Sequence, residues 1–285
     1  MSIFPSQSKL IEDLSNSRRN CFIACDFSPP KLDNPQGLRL ATSLNPDMFS
    51  VSYNPGQSVK LNPIFASFWI QNETKISSIF TLATGNMNPK CLEKLLLNAH
   101  VLGLTNAVFV MGDSSSKTIS ATKALELTAR MNFGLDVGNN QLDTPTNFCI
   151  GSTIDISKNW DHEISLTKKK IDSGAEFFLA QAQFDISKVV QFLESYRDKI
   201  GTHIEVPILW GVQMITKGSS SFTSIPDYMK RDLDLGRSGL DIALEIFDQY
   251  FAYGIDSFYL LPPFFRTGKR DYDLAEELIS ALTSN

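Results

Sequence analysis

The chain has 285 residues, of which 42% are hydrophobic and 20% are charged, and its formal net charge is −5. This composition is that of an ordinary soluble globular protein, and the acidic balance excludes nucleic acid as the main partner. The N-terminus carries no signal-peptide pattern and no apolar run has the length of a membrane span. We therefore expect a cytoplasmic protein without a membrane partner.

Apolar periodicity and turn residues predict a regular alternation of strands and helices along the chain. The predicted strands cover residues 22–26, 48–53, 76–84, 106–111, 148–153, 177–180, 206–212 and 257–261. The predicted helices cover residues 6–19, 35–44, 61–72, 89–100, 117–131, 187–199, 225–233, 238–253 and 271–283, with a crossover helix ending at Ser173-Gly174. Asn88 is expected to cap the helix that begins at Pro89.

Eight strands, each followed by at least one helix, predict an α/β fold of the (β/α)8 TIM barrel type. Residues 6–19 add an extra N-terminal helix to this pattern. We expect the whole chain, residues 1–285, to form a single domain. An open doubly wound sheet is the competing fold.

The four cysteines are scattered along the chain, at Cys21, Cys25, Cys91 and Cys149. We interpret them as small, reduced core residues. Because no second pair of Cys or His residues accompanies Cys21 and Cys25, the sequence predicts no metal site.

The clearest unit of the chain runs from Phe148 to Asp185. An apolar run is followed by an amphipathic crossover, a stop at Gly174 and a second apolar run. This order is typical of a β-α-β unit with parallel strands. It places Gln181 at the end of a strand, where a buried amide is suited to binding a polar ligand.

Residues at the carboxyl ends of the strands form the candidate pocket, because barrel active sites are assembled at that face. They are Asp26, Ser52, Tyr53, Thr84, Asp113, Thr153, Gln181, Gln213 and the Pro262-Pro263 pair. Carboxylates, amides and hydroxyls suit a polar heterocycle, and a desolvated carboxyl group can serve as a general acid.

Several of the candidate residues also have a structural alternative. Asp26 and Asp113 are also suited to capping the turns that follow their strands. Gln181 is suited to satisfying loop backbone, and the run of lysines at residues 168–170 is more typical of a solvated helix face than of a phosphate-binding site.

Several segments resemble the methylenetetrahydrofolate reductase family, in the same order along the chain. They are Asp26-Phe27-Ser28-Pro29-Pro30-Lys31, Phe49-Ser50-Val51-Ser52-Tyr53-Asn54, Val110-Met111-Gly112-Asp113, Gly174-Ala175-Glu176-Phe177, Gln181-Ala182-Gln183-Phe184-Asp185 and Leu260-Leu261-Pro262-Pro263. The likeness covers nearly the full chain, from about residue 22 to residue 264. Residues 132–151 resemble the branch in which such a domain can be fused to a homocysteine methyltransferase.

The resemblance implies a barrel that binds FAD at its carboxyl-terminal face and passes a hydride to the methylene group of 5,10-methylenetetrahydrofolate. Asp26 then matches a catalytic Glu that protonates the folate, and Asp113 matches an Asp near both flavin and pterin. Gln181 matches the Gln that binds the pterin, and Gln213 is added as a second substrate-binding residue.

The remaining assignments concern the flavin. The residues expected to bind it are Ser52, Tyr53, Thr81, Thr84, Asp113, Thr153, Glu163, Lys169 and Lys170. Glu163 and the two lysines fall where the family holds the ribose and the diphosphate. The hydride is expected from reduced flavin or from a nicotinamide, and NADH and NADPH are the candidate electron donors. Expected partners are a reduced folate, and either a second copy of the chain or a redox partner protein.

The chain departs from the family pattern at four places. Asp26 replaces the Glu, Thr81 stands where a His usually contacts the flavin, Met111 stands where some members have Arg, and Asp155-Ile156 replaces Asn-Pro. These departures leave two alternatives open: a folate-dependent methyltransferase or demethylase of one-carbon metabolism, and a non-catalytic folate-binding subunit of a redox or methyltransferase complex.

Overall fold

The eight strands close into a parallel barrel in which every strand pairs with its neighbours in chain order. The computed structural model describes residues 3–4, 6, 8–16, 20–31, 35–53, 59–112 and 118–283. The strands are β1 Phe22–Phe27, β2 Met48–Val51, β3 Ser78–Ala83, β4 Asn106–Val110, β5 Cys149–Ile154, β6 Phe177–Ala180, β7 Ile208–Gln213 and β8 Ser257–Leu261. The (β/α)8 barrel prediction is confirmed.

Helices surround the barrel between the strands. They are α1 Leu10–Asn16, α2 Pro63–Thr74, α3 Pro89–Val101, α4 Ala121–Asn132, α5 Trp160–Asp172, α6 Ile186–Ile200, α7 Asp227–Asp234, α8 Gly239–Ala252 and α9 Tyr272–Thr283, with a 3-10 helix at Pro35–Ser43. The Asn88 side chain caps α3 by accepting a hydrogen bond from Cys91 N at 2.9 Å, as predicted. Among the described residues, no helix is long and apolar enough to cross a membrane.

Alternation along the strands separates two apolar layers. In β1, Phe22 and Ala24 face the barrel interior, whereas Ile23, Cys25 and Phe27 pack outward against the helices. The same period of two carries Asp26 to the interior side, at the carboxyl end of β1. Strand β6 repeats the pattern, because Phe177 and Leu179 belong to the inner layer and precede Gln181 by even steps.

Helix α1 closes the amino-terminal end of the barrel. Leu10 is fully buried and packs with the inner layer of strand residues. Its backbone N–H donates to Asn106 Oδ1 at 2.8 Å, so a side chain of β4 fixes the start of the helix. Helix α1 therefore closes the amino-terminal end of the barrel, whereas the carboxyl-terminal face remains open.

The structure refines one detail of the sequence prediction and corrects another. The short helix predicted near residues 35–44 is present as a 3-10 helix at Pro35–Ser43. Cys91 is exposed on α3, whereas the other three cysteines are buried as expected, and all four are free thiols.

Candidate active site at the carboxyl-terminal face

A cavity of about 600 Å³ opens at the carboxyl ends of the strands. This volume lies within the range of sites that hold one drug-sized ligand. Of the residues predicted from sequence, the cavity is lined by Asp26, Ser52, Tyr53, Thr81, Thr153, Glu163, Lys170 and Gln181. Asp113 lies outside the described residues.

Asp26 is held by two partners in the cavity wall. Its side chain is 1% exposed, and the Tyr259 hydroxyl donates to Oδ1 at 2.7 Å. Arg270 Nη2 lies 2.9 Å from Oδ2, a distance that makes an ion pair, although the angle does not meet hydrogen-bond geometry. Asp26 is thus desolvated as expected, but it also has a phenol donor and a cation beside it.

The charge of Asp26 affects the pKa values of its two partners, Tyr259 and Arg270. Burial, and then the negative charge of Asp26, raise the pKa of Tyr259 well above its usual value, so Tyr259 remains a neutral donor. Burial opposes the charge of Arg270, but Asp26 raises the pKa of Arg270 overall. A cation and a hydrogen-bond donor both stabilise the charged form of a carboxylate. Both kinds of partner lie within 2.9 Å of the Asp26 carboxyl group.

Gln181 presents a free amide to the cavity. It follows β6 directly and is half-buried, and its backbone N–H donates to Ile154 O at 2.8 Å. Its side-chain amide makes no hydrogen bond with any described residue, although it lines the cavity. An amide offers both donors and an acceptor, so a ligand with both kinds of group can pair with it.

Gln213, by contrast, lies outside the cavity and has its hydrogen bonds satisfied by the loop after β7. Its Nε2 donates to Ser220 O at 2.8 Å, and its Oε1 accepts from Ser221 Oγ at 3.0 Å and from Phe222 N at 3.1 Å. The side chain is 1% exposed. The structure assigns this amide to loop backbone and not to the cavity.

Two of the residues expected at the flavin also lie elsewhere. The Thr84 hydroxyl lies 2.8 Å from Ile119 O and 3.2 Å from Val110 O, which gives it a structural role beneath the cavity rim. Lys169 is exposed on α5 and does not line the cavity, whereas Lys170 on the adjacent position faces inward.

Lys170 does not offer a free charge to a diphosphate. Its Nζ donates to Thr153 O and lies 3.6 Å from Glu163 Oε1. The side chains of this ion pair are buried, with exposures of 6% for Lys170 and 5% for Glu163. Burial lowers the pKa of Lys170, and Glu163 only partly offsets this effect. With Lys169 in solvent and Lys170 paired, these donors do not fit a tightly held FAD diphosphate.

This charge arrangement predicts weak flavin binding. We expect the purified protein to carry well under one equivalent of FAD, and added FAD to be lost on dialysis in high salt, because screening removes what charge attraction remains. The measurement is the visible absorbance of the protein before and after reconstitution. Retention of a full equivalent of flavin through high-salt dialysis would contradict the expectation.

Several cavity residues were not found from the sequence. Tyr259 is signalled by the alternation of β8, where it lies on the interior side between Phe258 and Leu260. Arg270 comes from the loop between β8 and α9, and no sequence pattern places it beside Asp26. Phe222 and Phe264 form an aromatic pair with ring centres 4.5 Å apart in the cavity wall.

Comparisons with known proteins agree on a family. The methylenetetrahydrofolate reductase family model matches residues 10–233. Methylenetetrahydrofolate reductase 1 of Schizosaccharomyces pombe is 24% identical over an alignment of 259 residues, and the match covers 81% of this chain and 42% of that protein. The chain therefore spans less than half the length of this curated relative.

Two solved structures share the fold. One is an uncharacterised protein from Clostridium thermocellum that binds two copies of 5-methyl-5,6,7,8-tetrahydrofolic acid; it has a TM-score of 0.71 at 17% identity and covers 96% of this chain and 99% of that chain. The other is oxaloacetate acetylhydrolase, with a TM-score of 0.54 at 11% identity, covering 90% of this chain and 80% of that chain. At these identities the likeness shows the fold alone.

Proposed function

The chain belongs to the methylenetetrahydrofolate reductase family, and we propose that its cavity binds a reduced folate. The observation that carries this proposal is the Gln181 amide, which lines the cavity and has no hydrogen-bond partner among the described residues. A pterin edge offers N–H donors and a carbonyl acceptor next to one another, and a half-buried amide without a partner is suited to both. The folate-binding protein from Clostridium thermocellum, which has the same fold, supports the choice of ligand.

The reaction proposed in this cavity is the reduction of 5,10-methylenetetrahydrofolate to 5-methyltetrahydrofolate. Ring opening breaks the bond between the methylene carbon and N10, and N10 takes up a proton. A hydride then adds to the methylene carbon and leaves a methyl group on N5. Because the lysines do not fit a tightly held FAD, we propose a reduced nicotinamide as the hydride donor, which leaves as its oxidised form.

Asp26 is the proposed source of the proton. It is buried in the cavity wall at the end of β1, where its environment is desolvated. A positioned acid in such a place contributes about 100-fold or more to a reaction that needs a proton. The resemblance of Asp26 to the catalytic Glu of the family supports the same role.

A second candidate is a folate-dependent methyl transfer or demethylation without hydride transfer. The observation that favours it is the ion pair between Asp26 and Arg270 at 2.9 Å. The pair occupies the carboxylate with a cation, and a methyl transfer does not need an acid to open a five-membered ring.

An activity assay separates the two candidates. The protein is incubated with 5,10-methylenetetrahydrofolate and NADH or NADPH, and nicotinamide oxidation and 5-methyltetrahydrofolate are measured together. We expect the two to appear in equal amounts, because one hydride makes one methyl group. A protein that binds the folate but oxidises neither nicotinamide would contradict the reductase and favour the transfer reaction.

A further inference from the structure

The charged side chains of the cavity fall into pairs, with one exception among the described residues. The lining contains Asp26, Lys60, Asp155, Lys158, Glu163, Lys170 and Arg270. Arg270 pairs with Asp26 at 2.9 Å, Lys158 with Asp155 at 2.9 Å and Lys170 with Glu163 at 3.6 Å. Lys60 has no carboxylate of a described residue within ion-pair distance. Its Nζ donates to the hydroxyl of Ser28 at 2.9 Å.

Lys60 also lies among other cations. Its backbone bridges that of Lys31, and Arg270, which also lines the cavity, is close enough for its charge to act on Lys60. Burial, followed by the charge of Arg270, lowers the pKa of Lys60; Asp26 acts in the opposite direction, and Lys31 lowers it further. A half-buried ammonium in this position is destabilised unless an anion joins it.

We propose that Lys60 binds a carboxylate of the ligand, and that in a reduced folate this is a carboxylate of the glutamate tail. This inference rests on the proposed function and extends it from the pterin to the other end of the same molecule. An ammonium group has three donors, and the contact with Ser28 uses one of them. The other two are available to an anion that enters the cavity.

The test compares two ligands that differ only in the tail. One is 5-methyltetrahydrofolate, and the other is a 5-methyltetrahydropterin with a methyl group on C6, so that the tail removed is the whole aminobenzoyl-glutamate. Calorimetry measures both affinities for the wild-type chain, for Lys60→Met and for Lys60→Arg. Lys94→Met on α3 is the control, because Lys94 is exposed on a helix outside the cavity.

We expect Lys60→Met to weaken folate binding by about tenfold, the effect of losing one charge-assisted hydrogen bond. The same variant should leave the affinity for the tail-less pterin unchanged, and Lys60→Arg should restore most of the folate affinity. Raising the salt concentration should weaken folate binding by the wild-type chain more than by Lys60→Met. The melting temperature of each variant checks its fold.

Each contrary result has its own meaning. If Lys60→Met binds folate as tightly as the wild-type chain, or loses affinity for both ligands equally, the inference about the tail is wrong. If the wild-type chain binds the two ligands equally well, the tail makes no contact and the inference is again wrong, while the proposed function stands. If the wild-type chain binds neither ligand, the proposed function fails and the inference fails with it.

Discussion

Asp26→Asn is expected to lower the turnover of methylenetetrahydrofolate reduction by about a hundredfold or more, because the variant cannot supply the proton for ring opening. The affinity for the folate should change little, since an amide fills the same volume. Steady-state kinetics and calorimetry on the same preparation separate the two quantities. An asparagine variant as active as the wild-type chain would show that Asp26 is not the general acid.

The same substitution has a structural effect that must be measured separately. Asp26 is buried against Arg270, whose side chain is 12% exposed. Removing one partner of a buried ion pair leaves an uncompensated charge and typically costs about 3–5 kcal/mol in the free energy of unfolding. Denaturant unfolding of the variant gives this quantity, and the kinetics are then measured at a temperature where the variant remains folded.

Arg270→Gln is the matched control for Asp26→Asn. It breaks the same ion pair from the other side but keeps the carboxyl group, so both variants are expected to lose stability. Without the cation, a buried carboxyl group binds a proton more readily. If Asp26 is the acid, Arg270→Gln therefore retains more turnover than Asp26→Asn. Equal losses in the two variants would indicate that Asp26 acts only through the ion pair.

Asp26→Glu tests whether the Asp side chain, which is one methylene group shorter than Glu, is long enough for the reductase reaction. Glu restores the reach that is usual in the family, so reduction should be retained or raised. The added methylene group must fit between Tyr259 and Arg270, and such overpacking costs about 1–3 kcal/mol in a closely packed site. Loss of activity on the natural substrate, with the fold intact, would favour the transfer reaction.

The fold was largely predictable from sequence because its signals are local. The bounds of the predicted strands placed Asp26 and Gln181 at the carboxyl-terminal face of the barrel, and both line the cavity. The capping of α3 by Asn88 followed from a single Asn-Pro pair. Each of these features depends on residues that are neighbours in the sequence, so it can be predicted without knowledge of the structure.

The placement of other site residues depends on contacts that the sequence does not show. Gln213 lies at a strand end, as Gln181 does. The loop after β7, however, folds back so that its backbone forms hydrogen bonds with the Gln213 amide. Lys169 and Lys170 are neighbours on α5, and only the orientation of that helix decides which one faces the cavity. Arg270 reaches Asp26 from a loop distant in the chain.

Gln181 carries the central claim that this cavity binds a reduced folate. In Gln181→Leu the side-chain volume is nearly kept, while the amide donors and acceptor are lost. Because the native amide has no partner among the described residues, the free protein loses no hydrogen bond, and its stability should be nearly unchanged. The pterin, however, loses a buried partner, so folate binding should weaken by roughly 1–3 kcal/mol. Gln191→Leu is the control, because Gln191 is exposed on α6 and does not line the cavity.

The decisive measurement is calorimetric titration of 5-methyltetrahydrofolate into the wild-type chain, Gln181→Leu and Gln191→Leu. We predict that the wild-type chain and Gln191→Leu bind with the same affinity, and that Gln181→Leu binds roughly 5- to 150-fold more weakly, which corresponds to the loss of that hydrogen bonding. Equal affinity for all three proteins, or no binding by the wild-type chain, would contradict a folate site at Gln181.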